Sequence, residues 1–138
     1  MTSPLARRAL SGRRALLGGA LLMALATLIG ALATHVLRSR LTPASFAVLQ
    51  TAVLYQFVNA LGLLILGTLA GQTSLRGLRV ATDLLLVGVL LFSGSLYALT
   101  LGAPSILGLL TPMGGLCLIA GWSTAALTLW RGEGTQAS

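Results

Sequence analysis

The sequence predicts an all-α membrane protein with four transmembrane helices in an antiparallel bundle and both termini cytoplasmic. Three observations predict it. First, 56% of the 138 residues are hydrophobic and 8% are charged, at a mean hydropathy of +0.94. A soluble domain would carry about 25% charged residues. This chain cannot cover itself with polar surface, so its solvent must be mostly lipid. Second, the apolar residues fall into four runs, each long enough to cross a hydrocarbon core of about 30 Å at ~1.5 Å per helical residue. Third, the arginines gather at the ends of those runs. Within hydrocarbon the backbone must satisfy its own hydrogen bonds, so the runs are helices. The alternation that a membrane strand would need is missing.

Residues 1–14 read as a basic, disordered cytoplasmic tail carrying Arg7, Arg8, Arg13 and Arg14. The four-span domain, residues 15–130, leaves no room for a separate soluble domain. Its first span covers about 15–36. The polar stretch from Leu37 to Pro43 follows, and Thr42 before Pro43 reads as a helix N-cap and first helical residue. The second span covers about 46–70. Gly71-Gln72-Thr73-Ser74, with Arg76 and Arg79, forms the next turn. The third span covers about 80–101. Gly102-Ala103-Pro104-Ser105 breaks it, because proline cannot continue a helix. The fourth span covers about 106–130, and residues 131–138 form a second cytoplasmic tail.

The net charge of +7 comes from nine arginines against Asp83 and Glu133. Basic character can mark nucleic-acid binding, but arginines at span ends answer the anionic cytoplasmic leaflet instead. With the N-terminus inside, seven arginines lie on the cytoplasmic side and two (Arg38, Arg40) outside, which sets the orientation. Trp130 beside Arg131 then anchors the inner interface. Arg13-Arg14-Ala15-Leu16-Leu17, with Ala31-Leu32-Ala33 beyond, also resembles a signal peptide of the twin-arginine kind. The apolar run is long for a signal core of ~7–15 residues, so a retained span is expected. A mature N-terminus at Thr34 would overturn that.

Polar side chains inside a membrane are the places to look for chemistry. Tyr55 and Asn59 share a helix face, with Gln56 beside them; Ser93, Tyr97 and Thr100 share another. Thr111 and Pro112 lie near the outer end of the fourth span, and His35 closes the first. The candidate cluster is therefore His35, Tyr55, Gln56, Asn59, Ser93, Tyr97 and Thr111, expected in the outer half of the bundle. Its plainest role is to tie helices together. Asp83 is read as an i, i+4 partner of Arg79 near the inner interface. Cys117, the single cysteine, is read as a small packing residue.

Small residues mark helix contacts. Gly67 and Gly71 form a GxxxG, and Gly114, Cys117, Gly121, Ala125 and Thr128 form a smooth stripe. Gly94 and Gly115 belong to the same expected packing set, within the chain or between copies. No phosphate loop, GxSxG, HExxH or CxxC is present. A serine nucleophile needs a nearby base, but His35 is the one histidine and Asp83 falls at the opposite membrane face. No enzyme activity, cofactor or metal site is expected.

Three segments together are distinctive: Phe46 to Phe57, Leu91-Phe92-Ser93-Gly94-Ser95-Leu96-Tyr97, and Thr111-Pro112-Met113-Gly114-Gly115-Leu116 with Ala120-Gly121-Trp122. In this order they resemble the YgdD-like family of small bacterial inner-membrane proteins, over roughly residues 15–130. The resemblance implies four spans in the bacterial cytoplasmic membrane, no established activity and no catalytic residues to carry over. Two positions depart from the family pattern: Ala33-Thr34-His35 where Gly-Ala-His is usual, and Asn59-Ala60-Leu61 where His-Ala-Leu is usual. The second departure weakens any metal-binding or proton-relaying histidine pair. The expectation is a structural or accessory membrane component, in contact with lipid and with itself or another membrane protein, and not with nucleic acid. The alternative is a small transporter or channel subunit using the polar cluster.

Overall fold

The computed structural model describes residues 4–133, with side chains for residue 10 and residues 12–132. Residues 1–3 and 134–138, the extremes of the two expected tails, lie outside the described residues. The four helices are α1 (Pro4–Leu32), α2 (Pro43–Gln72), α3 (Arg76–Thr100) and α4 (Leu110–Glu133). No strand occurs among the described residues. Four helical segments, Gly12–Leu37, Pro43–Gln72, Arg76–Thr100 and Ser105–Gly132, are long and apolar enough to cross a membrane.

The helix starts differ from the sequence reading in three places. α1 begins at Pro4, so residues 4–14 are helical rather than a disordered tail. Arginine is a good helix former, and the basic segment continues the span's helix. α3 starts at Arg76 rather than near residue 80 for the same reason. α4 starts at Leu110 because Ser105–Leu109 first forms a tighter 3₁₀ turn behind Pro104. At its other end α1 widens into a π turn, Ala33–Leu37, where the Arg38 N–H reaches back five residues to the Ala33 carbonyl.

The turns are held by local chemistry. Thr42 has extended backbone and its Oγ1 accepts from the Ser45 N–H at 3.2 Å, with Pro43 opening α2. α3 closes in a Schellman motif: Gly102 N–H donates to the Leu99 carbonyl and Ala103 N–H to the Ala98 carbonyl. Gly102 carries φ +88°, a left-handed value that costs glycine little.

α2 and α3 form the central pair. Their membrane segments are 44% and 39% buried, against 22% for α1 and 17% for α4. α1 lies along α2, and α4 lies along α3. Leu63 and Leu66 of α2 meet Leu78, Leu85 and Val89 of α3, with Leu22 and Leu118 closing the core from the flanking helices. Lipid tails are as apolar as leucine, so close backbone packing must do much of the joining. A Cβ added at Gly12 would lie 2.8 Å from the Gly71 Cα and 2.9 Å from the Gly67 carbonyl oxygen. A Cβ at Gly114 would strike the Phe92 backbone N, with the Gly88 carbonyl oxygen 2.9 Å away. Glycine is thus required where α1 crosses α2 and where α4 crosses α3.

Candidate functional site

Gln56 sits near the middle of the 30-residue α2 and is 1% exposed. Its Nε2 donates to the Leu22 carbonyl of α1 at 2.7 Å, and its Oε1 accepts from Tyr97 Oη of α3 at 2.7 Å. One amide therefore joins three helices. The orientation follows from chemistry, since a backbone carbonyl can only accept. One turn along, Asn59 Nδ2 donates to the Tyr55 carbonyl at 2.8 Å, and Oδ1 accepts from Trp122 Nε1 of α4 at 3.0 Å. Ser93 Oγ of α3 donates to the Ala52 carbonyl of α2 at 2.9 Å. Ser95, two residues on, turns to α4, where its hydroxyl and that of Thr111 lie 2.7 Å apart.

The structure brings Gln56, Ser93 and Tyr97 to the α2–α3 interface, Asn59 to Trp122 of α4, and Thr111 to the α3–α4 contact. Tyr55 is 43% exposed, and its ring meets the Phe92 ring with centroids 4.5 Å apart. His35 stands apart, exposed on the π turn. Along the helices, Gln56 and Asn59 stand near the middle of α2, and Ser93 and Tyr97 in the last third of α3. Ser95 and Trp122 belong to the network although sequence spacing did not select them. An indole N–H within an apolar span needs an acceptor, which was the available signal for Trp122. Among the described residues, every buried side-chain nitrogen and oxygen has a partner. These groups are spent on one another, as helix ties.

Of the expected packing glycines, Gly67, Gly114 and Gly121 face neighbouring helices with no room for a side chain, and Gly71 receives Gly12. Gly115 has only ordinary contact, at 3.8 Å, with the Phe92 ring. Gly94 does not pack: a Cβ there would meet nothing within 4 Å, because its face of α3 points outward, away from the Ser93 and Ser95 contacts. Cys117 is half-buried. Asp83 is exposed, and among the described residues no ion pair joins it to Arg79. An exposed pair would add at most about 1 kcal/mol. No three or more of the described His, Cys, Asp and Glu residues are placed to share a metal ion.

Because α4 packs along α3, a cleft opens between α2 and α4 above Phe92. It is a cavity of about 620 Å³ whose walls include Tyr55 and Asn59 of α2 and Gly115, Trp122 and Ser123 of α4.

The family described as a protein of unknown function, DUF423, matches residues 29–115. A UPF0382 membrane protein of Staphylococcus haemolyticus is 44% identical over 104 residues, covering 75% of this chain and 84% of the relative. The UPF0382 membrane protein YwdK of Bacillus subtilis is 38% identical over 105 residues, covering 75% and 85%. A UPF0382 membrane protein of Haemophilus influenzae is 33% identical over 98 residues, covering 71% and 78%. No solved structure matches the chain.

Proposed function

This chain belongs to the DUF423 family, whose relatives include the UPF0382 bacterial membrane proteins, and from that footing we propose that it is a non-enzymatic structural or accessory component of the bacterial cytoplasmic membrane, multi-pass, with both termini inside, acting in assembly with itself or another membrane protein. We also read it as resembling the YgdD-like small bacterial inner-membrane proteins, through residues 46–57, 91–97 and 111–116. The observation that carries the reading is Gln56: the one buried primary amide that spans α1, α2 and α3 is committed to holding them together. Ser93 and Ser95 likewise bond to backbone carbonyls and to Thr111, and neither stands beside a base as a nucleophile would need. The flanking helices support an assembly role, since α1 and α4 turn most of their surface outward.

The test is extraction of the full-length protein in mild detergent, followed by size-exclusion with light scattering and mass spectrometry of the co-purifying chains. A homo-oligomer or a stoichiometric membrane partner is expected. A monomer that carries no partner at any detergent concentration would sink the reading.

A further inference from the structure

In the hydrocarbon region an unpaired hydroxyl is costly, because no water reaches it. Within α1 to α4, the described hydroxyls obey this rule almost throughout. Thr27, Thr51, Thr68, Thr124 and Thr128 each donate to a carbonyl four residues back in their own helix. The serines, threonines and tyrosine of α3 bond within α3 or to its neighbours. Two hydroxyls among the described residues of these helices make no hydrogen bond: Tyr55 and Ser123. They lie on different helices, and both line the same cavity between α2 and α4.

The cavity has the form of a small-molecule site. Its volume of about 620 Å³ falls in the range of roughly 300–1,000 Å³ typical of such sites, and its walls combine apolar and aromatic side chains with a few polar groups, as theirs do. The rings of Tyr55, Phe92 and Trp122 line it, together with Leu54, Val58 and Ile119. Asn59 holds Trp122 at its edge through the 3.0 Å bond and keeps a second lone pair on Oδ1. An acyl chain at this depth brings no polar atom, so it would fill the space and leave both hydroxyls unpaired. We propose that the cavity binds a lipid-soluble molecule with a flat, apolar ring body and a hydroxyl or carbonyl oxygen, which pairs with Tyr55 at one end of the cavity or with Ser123 at the other.

The chain has two tryptophans, and Trp130 is 75% exposed at the far end of α4. Trp130→Phe therefore leaves Trp122, in the cavity wall, as the one tryptophan donor, excited apart from the two tyrosines. The test uses this full-length variant in lipid nanodiscs, titrated with 9-anthracenemethanol or with 9-methylanthracene, a matched ring body without the oxygen. Energy transfer from Trp122 to the alcohol should saturate with the mole fraction of probe, and the alcohol should bind about tenfold tighter than the hydrocarbon, the scale of one neutral hydrogen bond. Tyr55→Phe with Ser123→Ala should remove that preference. Gly115→Leu, at a position where a Cβ meets only the Phe92 ring at 3.8 Å, should fill the cavity and abolish saturation. Both variants are first checked for helicity and monodispersity. Transfer that rises linearly for both probes, equal affinity for both, or saturation unchanged by Gly115→Leu would each overturn the proposal.

Discussion

At the scale of single residues, stability in a membrane depends on where each polar atom ends. Gln56 makes two interhelix hydrogen bonds from one 1%-exposed side chain. Such bonds average about 0.6 kcal/mol in membranes and reach about 1.7. Gln56→Leu should therefore destabilise the protein by about 1–2 kcal/mol in detergent unfolding. Tyr97→Phe removes one of the two bonds and should cost less. The double variant should show coupling of roughly 0.6 kcal/mol or more, since the two residues touch. Strict additivity would mean that the bond contributes nothing. The sequence marked Gln56, Asn59, Ser93 and Tyr97 as polar residues in apolar spans, and each makes a hydrogen bond to a neighbouring helix. What it could not show was their partners. Two acceptors are the backbone carbonyls of Leu22 and Ala52, and every residue type carries one of those. Helical spacing says which residues share a face, but not which helix that face meets.

At the scale of elements, the same spacing argument worked for two glycine contacts and failed for a third glycine. Gly67 with Gly71 and the stripe through Gly114 and Gly121 are legible because small residues recur on one face, and α1 and α3 respectively pack there. Gly94 carries the same residue type on a face that meets no helix. The contrast makes a test. At Gly114 an added methyl meets the backbone of Phe92, which cannot rotate away as a side chain can. Gly114→Ala should cost about 1–3 kcal/mol, the usual penalty of overpacking, and should lower the melting temperature in detergent. Gly94→Ala adds a methyl into open space and should be neutral or stabilising by up to about 1 kcal/mol, through helix propensity alone. Equal effects at the two sites would show that α3 and α4 are not joined by this close approach. Pro104 marked the break before the 3₁₀ turn at Ser105–Leu109 but not the turn itself, and the π turn at Ala33–Leu37 had no visible signature.

At the scale of the whole molecule, four helices joined by short turns place alternate turns on opposite sides of the membrane. One end of the bundle gathers Arg13, Arg14, Arg76, Arg79 and Arg131; the other holds Arg38 and Arg40. Arginine-rich ends stay cytoplasmic, because translocating them is disfavoured and the inner leaflet attracts them. The four-helix architecture was legible from composition because lipid as solvent forces helices; arginine placement predicts which end faces the cytoplasm. Orientation can be read with one label. In a Cys117→Ser background, Ser39→Cys lies exposed in the α1–α2 turn and Ser74→Cys lies exposed in the α2–α3 turn. A membrane-impermeant maleimide added to intact spheroplasts should label Ser39→Cys at once, and should label Ser74→Cys only after the membrane is opened. The reverse pattern would put both termini outside, and it would mean that arginine counts do not orient this chain. Labelling of both before permeabilisation would be more damaging, because two turns separated by one helix of 30 residues can share a side only if α2 does not cross.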